Sequence, residues 1–145
     1  MRNISLIVIH CTASPAGVKL DVADVRKMHL KRGFRDIGYH FLIHLDGTIE
    51  RGRPWDQPGA HARGYNVESI GIAYVGGIMD DNPKDTRTVA QIRALRACVA
   101  IIKAQYPLVN VVGHRDLSVD LNGDGVISKN EWMKECPCFS VKTEL

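Results

Sequence analysis

Two short runs rich in β-branched residues, each ending in a histidine, constrain the fold of this chain more than any other feature. The first is ISLIVIH at residues 4–10, and the second is LVNVVGH at residues 108–114. Both have the length of a β-strand, and the first is nearly continuous in apolar residues, as is typical of a buried strand. We therefore predict strands that end at His10 and at His114.

Two amphipathic helices are predicted between these strands. Asp21 is the expected N-cap of the first, and apolar residues then recur at helical spacing until Gly33. Thr88 and Gln91 form a capping-box pattern for a longer helix, whose apolar period continues up to Pro107. Helices that alternate with strands in this way favour an α/β fold.

Two further extended segments are predicted from the middle of the chain. Residues 38–52 hold two runs joined by Asp46-Gly47, a dipeptide typical of a tight hairpin turn. Side chains at positions 39, 41, 43 and 45 are expected on one face of this hairpin. Residues 69–77, SIGIAYVGG, have the pattern of a central strand. The whole pattern predicts an α/β fold in which a single domain, residues 1–145, has a mixed β-sheet flanked by helices.

Composition narrows the choice of partners. The net charge of +3 would suit a polyanionic partner, but no cluster of lysine and arginine supports nucleic acid. No apolar run is long enough for a signal peptide or a membrane span. We therefore expect neither nucleic-acid nor membrane partners. We also expect a monomer. We also expect its four cysteines to be reduced thiols or metal ligands: Cys11, Cys98, Cys136 and Cys138.

The histidines at the two strand ends are candidates for a metal site, because a sheet fixes the backbone while the following loop leaves the imidazole accessible. With a cysteine near the C-terminus, His10 and His114 would supply three ligands and leave a fourth position open, as in catalytic zinc sites. Spacing alone does not select these residues, since the chain has neither a His-Glu-x-x-His motif nor paired Cys-x-x-Cys motifs.

Several segments resemble, in order, the type-2 N-acetylmuramoyl-L-alanine amidases. They are VIHCTAS, GYHFLIHLDGTIERGR, GAHARGYNVESIGIAYVGG, VVGHRD and KECPCF. This zinc family includes phage amidases loosely called lysozymes and the animal peptidoglycan-recognition proteins. The resemblance implies the corresponding α/β fold and hydrolysis of the amide bond between N-acetylmuramic acid and L-alanine in bacterial peptidoglycan.

Individual roles follow from this resemblance. It implies three zinc ligands, which are His10, His114 and Cys136. It places Tyr39 and Lys134 beside the open coordination position, where they would stabilise an oxyanion. Cys138 lies two residues beyond Cys136 and stays open as the alternative thiol ligand.

The loop before the central strand resembles the substrate groove of the family. Its candidate contacts to the stem peptide or the muramoyl unit are His61, Arg63 and Asn66. An ordinary polar surface loop is the alternative interpretation of these three residues. Cys11 follows a candidate ligand, but alternation along its strand directs it to the opposite face.

The segment between His114 and Cys136 is longer than in the family pattern. Residues 120–131, DLNGDGVISKNE, fit the twelve-residue EF-hand loop at every constrained position. The predicted calcium ligands are Asp120, Asn122, Asp124, the carbonyl of Val126, and Glu131. No incoming helix precedes the loop, so we predict half an EF-hand with an exiting helix through Trp132 and Met133. Such a loop would act as a structural clamp on the segment that carries Lys134 and Cys136.

Other functions stay open beside a cell-wall amidase. A non-catalytic peptidoglycan-binding module would share the fold but generally lacks the cysteine ligand. A calcium-responsive interaction domain would leave the strand-end histidines unexplained. The presence of Tyr39, Lys134 and Cys136 favours the enzyme. Without a secretion signal, we expect a phage or prophage lysis enzyme that accumulates in the cytoplasm and acts on the cell wall after release, or a protein exported by another route.

Overall fold

The computed structural model describes residues 2–145. In chain order the elements are β1 (Leu6–Cys11), β2 (Ser14–Pro15), α1 (Val22–Lys31), β3 (Phe41–Ile43), β4 (Ile49–Arg51), β5 (Ser69–Tyr74), β6 (Gly77–Met79), β7 (Asn82–Pro83), α2 (Val89–Gln105), β8 (Asn110–Gly113) and α3 (Val141–Glu144). Short 3-10 helices span Asn66–Glu68, His114–Leu117 and Lys129–Glu131. No helix within residues 2–145 is long and apolar enough to cross a membrane.

The main sheet has the strand order β4-β3-β5-β1-β8, with β5 at its centre as predicted. Strand β1 is parallel to both β5 and β8, β3 is parallel to β5, and β4 is antiparallel to β3. The predicted α/β fold with a mixed sheet is therefore confirmed. Because β1 and β8 are parallel neighbours, their carboxyl ends lie at the same edge, which brings His10 close to His114.

Helices cover both faces of this sheet. The larger apolar cluster packs α2 and α3 against one face and includes Ile7 and Ile9 of β1. A smaller cluster packs α1 against the other face, where it meets Leu42 of β3 and Ala73 of β5. Side chains alternate between the two clusters along β3 and β5, since successive residues of a strand point to opposite faces.

Local signals place the helix ends well. Helix α1 has the capping box of Asp21 with Asp24, and α2 has that of Thr88 with Gln91. The Gln91 side-chain amide also donates to the carbonyls of Ile43 and Val75, so it ties the start of α2 to the sheet. Such a cap typically contributes about 1 kcal/mol to the stability of its helix.

The predicted alternation along the hairpin is wrong at its two ends. Tyr39 and Leu45 were expected beside Phe41 and Ile43, but they pack with Leu42 on the α1 side. The reason is that β3 spans only Phe41–Ile43. Outside these residues the backbone no longer has the period of two that the prediction assumed.

The predicted exiting helix after the EF-hand-like loop is also wrong. A 3-10 helix spans Lys129–Glu131, and Trp132 then adopts an extended conformation, with φ −64° and ψ 124°. The Met133 amide donates to Ser118 Oγ at 3.0 Å instead of continuing a helix. The guanidinium carbon of Arg115 lies 3.8 Å from the centre of the Trp132 ring. These contacts draw the chain back towards the end of β8.

Candidate metal centre

The three predicted zinc ligands converge at the carboxyl edge of the sheet. One ring nitrogen of His10, one of His114 and the sulfur of Cys136 all lie within 4.8 Å of one another. The two histidines are buried, with ring centroids 4.6 Å apart, and Cys136 is partly buried. Two imidazoles and one thiol are a donor set that suits zinc and leaves one tetrahedral position open. The residues present therefore fit this metal.

Long-range hydrogen bonds hold Cys136 against the sheet. The Arg115 amide donates to the Cys136 carbonyl at 2.9 Å, and the buried Tyr74 hydroxyl donates to the Pro137 carbonyl at 2.6 Å. The Cys11 amide donates to Cys136 Sγ at 3.3 Å. This bond fixes the position of the Cys136 sulfur beside the end of β1.

A second anchor follows immediately in the chain. The Arg87 guanidinium carbon lies 3.3 Å from the centre of the Phe139 ring. Arg87 also pairs with Asp85 at 2.9 Å and with Glu144 of α3 at 2.8 Å. The C-terminal segment is therefore fixed on both sides of the candidate thiol ligand.

Cys138 takes no part in the three-ligand group. Its Sγ lies 3.6 Å from the Gly77 carbonyl and beside the Cys11 thiol. Cys11 is 4% exposed and belongs to the cluster on the α2 face, as alternation along β1 predicted. Hydrogen bonding to Cys136, together with burial, raises the pKa of the Cys11 thiol to about 12. Of the two C-terminal cysteines, the geometry places Cys136 with the histidines.

The surroundings keep both histidines neutral. Burial lowers the pKa of His10 well below its usual value, and the neighbouring His61, His114 and Lys134 add to this effect. Burial and the Lys134 charge lower the pKa of His114 to about 4. Both rings are therefore uncharged at neutral pH, which is the form required of a metal ligand.

Tyr39 and Lys134 border the same place. The rings of Tyr39 and His10 have centroids 5.2 Å apart, and burial raises the pKa of the Tyr39 hydroxyl. This hydroxyl therefore stays protonated and can donate a hydrogen bond. Lys134 is exposed, and its charge acts on both His10 and His114. The structure thus brings a cation and a hydroxyl to the edge of the three-ligand group.

The three predicted substrate residues have different surroundings. His61 points inward, with Nδ1 2.8 Å from His10 Nε2 and Nε2 3.2 Å from Ser69 Oγ. Asn66 Oδ1 accepts the amides of His61 and Ala62, both at 2.9 Å. Arg63 is exposed. A role in substrate binding stays a prediction for all three.

The hydrogen bond between His61 and His10 was not predicted from the sequence. One signal for it exists in Gly71, a glycine inside the predicted central strand. A Cβ atom at Gly71 would lie 2.6 Å from the His61 ring. Glycine within a strand often marks the close approach of another group, which here is the His61 imidazole.

The predicted calcium loop also brings its carboxylates together. Oxygens of Asp120, Asp124 and Glu131 lie within 4.8 Å of one another. Asp120 accepts the amides of the two loop glycines, and Glu131 accepts the amide and hydroxyl of Ser128. The Ser128 bonds, followed by backbone amides, hold the pKa of Glu131 down at about 2. The two other predicted ligands are close by, since Asn122 and Val126 both bond to Asp124.

A mixed sheet whose parallel strands carry two histidines to one edge, where a cysteine joins them, defines an α/β protein with a candidate zinc centre. A family model described as N-acetylmuramoyl-L-alanine amidase matches residues 1–138. The chain therefore belongs to the N-acetylmuramoyl-L-alanine amidase family, and the resemblance found in the sequence is confirmed.

Individual relatives agree with this assignment. The chain is 37% identical over 142 residues to an endolysin of Klebsiella phage KP32, covering 97% of this chain and 85% of the relative. It is 38% identical over 124 residues to a peptidoglycan-recognition protein of Drosophila melanogaster, covering 79% and 65%. Among solved structures, the amidase LysC from Clostridium intestinale matches with a TM-score of 0.72 and 29% identity, covering 96% of this chain and 79% of that one.

Proposed function

We propose that this protein is a zinc-dependent amidase that hydrolyses the bond between N-acetylmuramic acid and L-alanine in bacterial peptidoglycan. The observation that carries the proposal is the convergence of His10, His114 and Cys136 within 4.8 Å, in a chain of the amidase family. The relatives named as endolysins and amidases support the same reaction.

The chemistry follows from the donor set. A zinc ion held there would polarise a carbonyl and lower the pKa of a coordinated water to about 7. The two neutral imidazoles and the Cys136 sulfur would hold the ion at three positions and leave the fourth open to water or to the substrate. Cys136 acts as a ligand, so no nucleophilic side chain is required.

The two bordering residues act on the substrate carbonyl. Attack on the lactyl carbonyl of N-acetylmuramic acid places negative charge on its oxygen. Lys134 supplies a positive charge, and the protonated Tyr39 hydroxyl supplies a hydrogen-bond donor. Donors placed where charge develops are among the largest contributions to catalysis of acyl transfer.

A structural calcium ion is the second part of the proposal. Its proposed ligands are Asp120, Asn122, Asp124, the Val126 carbonyl and Glu131. The close approach of the Asp120, Asp124 and Glu131 carboxylates supports this set. The chain after the loop contacts Ser118 and Arg115, which flank the end of β8. An ion bound there would reduce the motion of the segment that leads to Lys134 and Cys136.

The proposed setting is bacterial lysis. Peptidoglycan is the proposed partner, and the enzyme would act on it as a monomer after release into the cell wall. The phage relatives named as endolysins support this setting. A non-catalytic peptidoglycan-binding module is the rival, because relatives in the family include peptidoglycan-recognition proteins.

One experiment separates these functions. Purified peptidoglycan is incubated with the wild type, with Cys136→Ala and with Cys138→Ala, and the released ends are identified by mass spectrometry. Zinc and calcium contents are measured on the same samples. We expect free alanine amino groups and muramoyl carboxyl ends from the wild type and from Cys138→Ala only. New reducing sugar ends would instead indicate a glycosidase, and bound but uncut peptidoglycan would indicate the recognition module.

A further inference from the structure

His61 stands between a candidate zinc ligand and the sheet. Its Nδ1 lies 2.8 Å from His10 Nε2, and its Nε2 lies 3.2 Å from Ser69 Oγ. The rings of His10 and His61 meet edge to face, with centroids 4.9 Å apart. The three side chains therefore form one continuous line that ends in the fully buried Ser69.

The ring orientation assigns the two nitrogens of His10 different tasks. Its Nε2 is taken by His61, whereas its Nδ1 lies 3.8 Å from Cys136 Sγ. Nδ1 is therefore the atom that faces the candidate metal position. A neutral imidazole carries one proton, so a ligating Nδ1 requires that the proton be on Nε2.

This choice for His10 also fixes which nitrogen of His61 carries its proton. With the proton on His10 Nε2, His61 Nδ1 must accept, and the proton of His61 is on Nε2. That nitrogen donates to Ser69 Oγ. The reverse assignment would put a proton on His10 Nδ1, where it would occupy the lone pair needed by the metal.

Packing leaves His61 little freedom to leave this position. The Asn66 side chain accepts the His61 amide at 2.9 Å, and the ring lies over Gly71, where a Cβ atom would approach it to 2.6 Å. The absence of a side chain at Gly71 is what makes room for the imidazole. A ring held from both sides is suited to orient its neighbour.

We propose that His61 is a positioning residue of the zinc centre, which holds His10 in the Nε2-protonated form so that Nδ1 is the ligand. This inference rests on the proposed zinc site. It assigns His61 a task distinct from the substrate contact that the resemblance implied. Loss of such a partner behind a metal ligand typically lowers metal affinity by about 10- to 100-fold.

The test measures zinc affinity by competition with a chromophoric chelator, independently of activity. His61→Phe keeps a ring of similar size and removes both hydrogen bonds. His61→Asn keeps an acceptor near the position of Nδ1. We expect His61→Phe to weaken zinc binding by about 10- to 100-fold and His61→Asn to recover most of the loss.

His40→Phe is the matched control. His40 is also a buried histidine, but its ring nitrogens bond to backbone groups, to the Gly71 amide at 3.0 Å and to the Gln57 carbonyl at 2.8 Å. Its replacement should lower stability while leaving zinc affinity unchanged. A drop in zinc affinity equal to that of His61→Phe would mean that general loosening, and not positioning, explains the effect.

A measurement on the wild type tests the proposal even if His61→Phe does not fold. Long-range proton–nitrogen NMR correlations of the zinc-loaded protein, with labelled histidines, report which ring nitrogens carry protons. We expect Nε2–H on both His10 and His61. A proton on His61 Nδ1 would overturn the proposal.

The outcomes keep this inference separate from the proposed function. If the wild type binds no zinc, the zinc centre itself is wrong. If the wild type binds zinc and His61→Phe binds it equally well, only the positioning role fails. If His61→Phe has unchanged zinc affinity but a raised KM for peptidoglycan fragments, then His61 contacts the substrate and does not position the metal ligand.

Discussion

The two candidate ion sites of this protein are built in opposite ways. The candidate zinc centre joins His10, His114 and Cys136 from three distant parts of the chain, with its histidines buried at the edge of a sheet. The calcium loop draws its ligands from residues 120–131, most of them exposed. The first site depends on the sheet and on the anchoring of the C-terminal segment, whereas the second depends on short-range bonds within one loop.

This difference makes the zinc centre sensitive to the whole fold and the calcium loop sensitive to its own residues. Changes at the zinc centre are expected to act mainly on catalysis. Changes at the loop are expected to act mainly on stability, and on catalysis only through the chain that links Glu131 to Cys136.

The largest effect is expected from Cys136→Ala. It removes one of the three proposed protein ligands, so zinc content and amidase activity should both fall to background. Cys138→Ala is the matched control, because its thiol lies beside Gly77 and Cys11. Turbidity loss of cell-wall suspensions and metal analysis give the two readouts. If Cys136→Ala keeps zinc and activity while Cys138→Ala loses both, then Cys138 and not Cys136 is the thiol ligand.

The next effect is expected from Lys134→Ala and Tyr39→Phe. Each removes one group proposed to stabilise the oxyanion, and kcat should fall by about 100- to 1000-fold. Zinc content should stay at the wild-type level, because neither residue is a proposed ligand. Lys103→Ala, an exposed lysine in the last turn of α2, serves as the control. A loss of zinc in Lys134→Ala or Tyr39→Phe would contradict the assigned roles.

A smaller effect is expected from calcium removal. If calcium binds only the folded protein, a concentration of one hundred times its Kd adds about 2.7 kcal/mol to the free energy of unfolding. Melting temperatures are compared with calcium and with a calcium chelator that spares zinc. Glu131→Gln should abolish the difference, whereas the exposed Glu135→Gln should preserve it. Identical melting curves in the two conditions would mean that the loop does not bind calcium.

The smallest effect concerns acid stability of the calcium-free protein. The folded-state pKa of Glu131 is held at about 2, chiefly by the Ser128 bonds, below the usual value of about 4.3 for glutamate. Its contribution is therefore complete above about pH 4.3 and is lost as the pH falls towards 2. Denaturant unfolding between these pH values should show a steeper loss in the wild type than in Glu131→Gln. Parallel pH profiles would mean that the loop bonds do not persist in solution.

Sequence patterns predicted local structure better than the contacts between elements. The N-cap at Asp21, the capping box of Thr88 with Gln91 and the hairpin turn at Asp46-Gly47 depend on neighbours within a few residues, and they were predicted correctly. The sides of Tyr39 and Leu45 were not, because strand length decides where alternation stops. The predicted helix after Glu131 does not form for a similar reason. Its residues Trp132 and Met133 instead contact Arg115 and Ser118, which are distant in the chain.

Within the candidate sites, the amino-acid sequence by itself determined the residue types and the spacing of the proposed calcium loop, because its candidate ligands are close together along the chain. It also indicated which histidines stand at strand ends. Only the tertiary structure decided that β1 and β8 lie side by side, that Cys136 and not Cys138 joins the histidines, and that His61 bonds to His10. Contacts between residues so far apart in the chain depend on strand order and packing, and a local pattern such as the glycine at position 71 records them only indirectly.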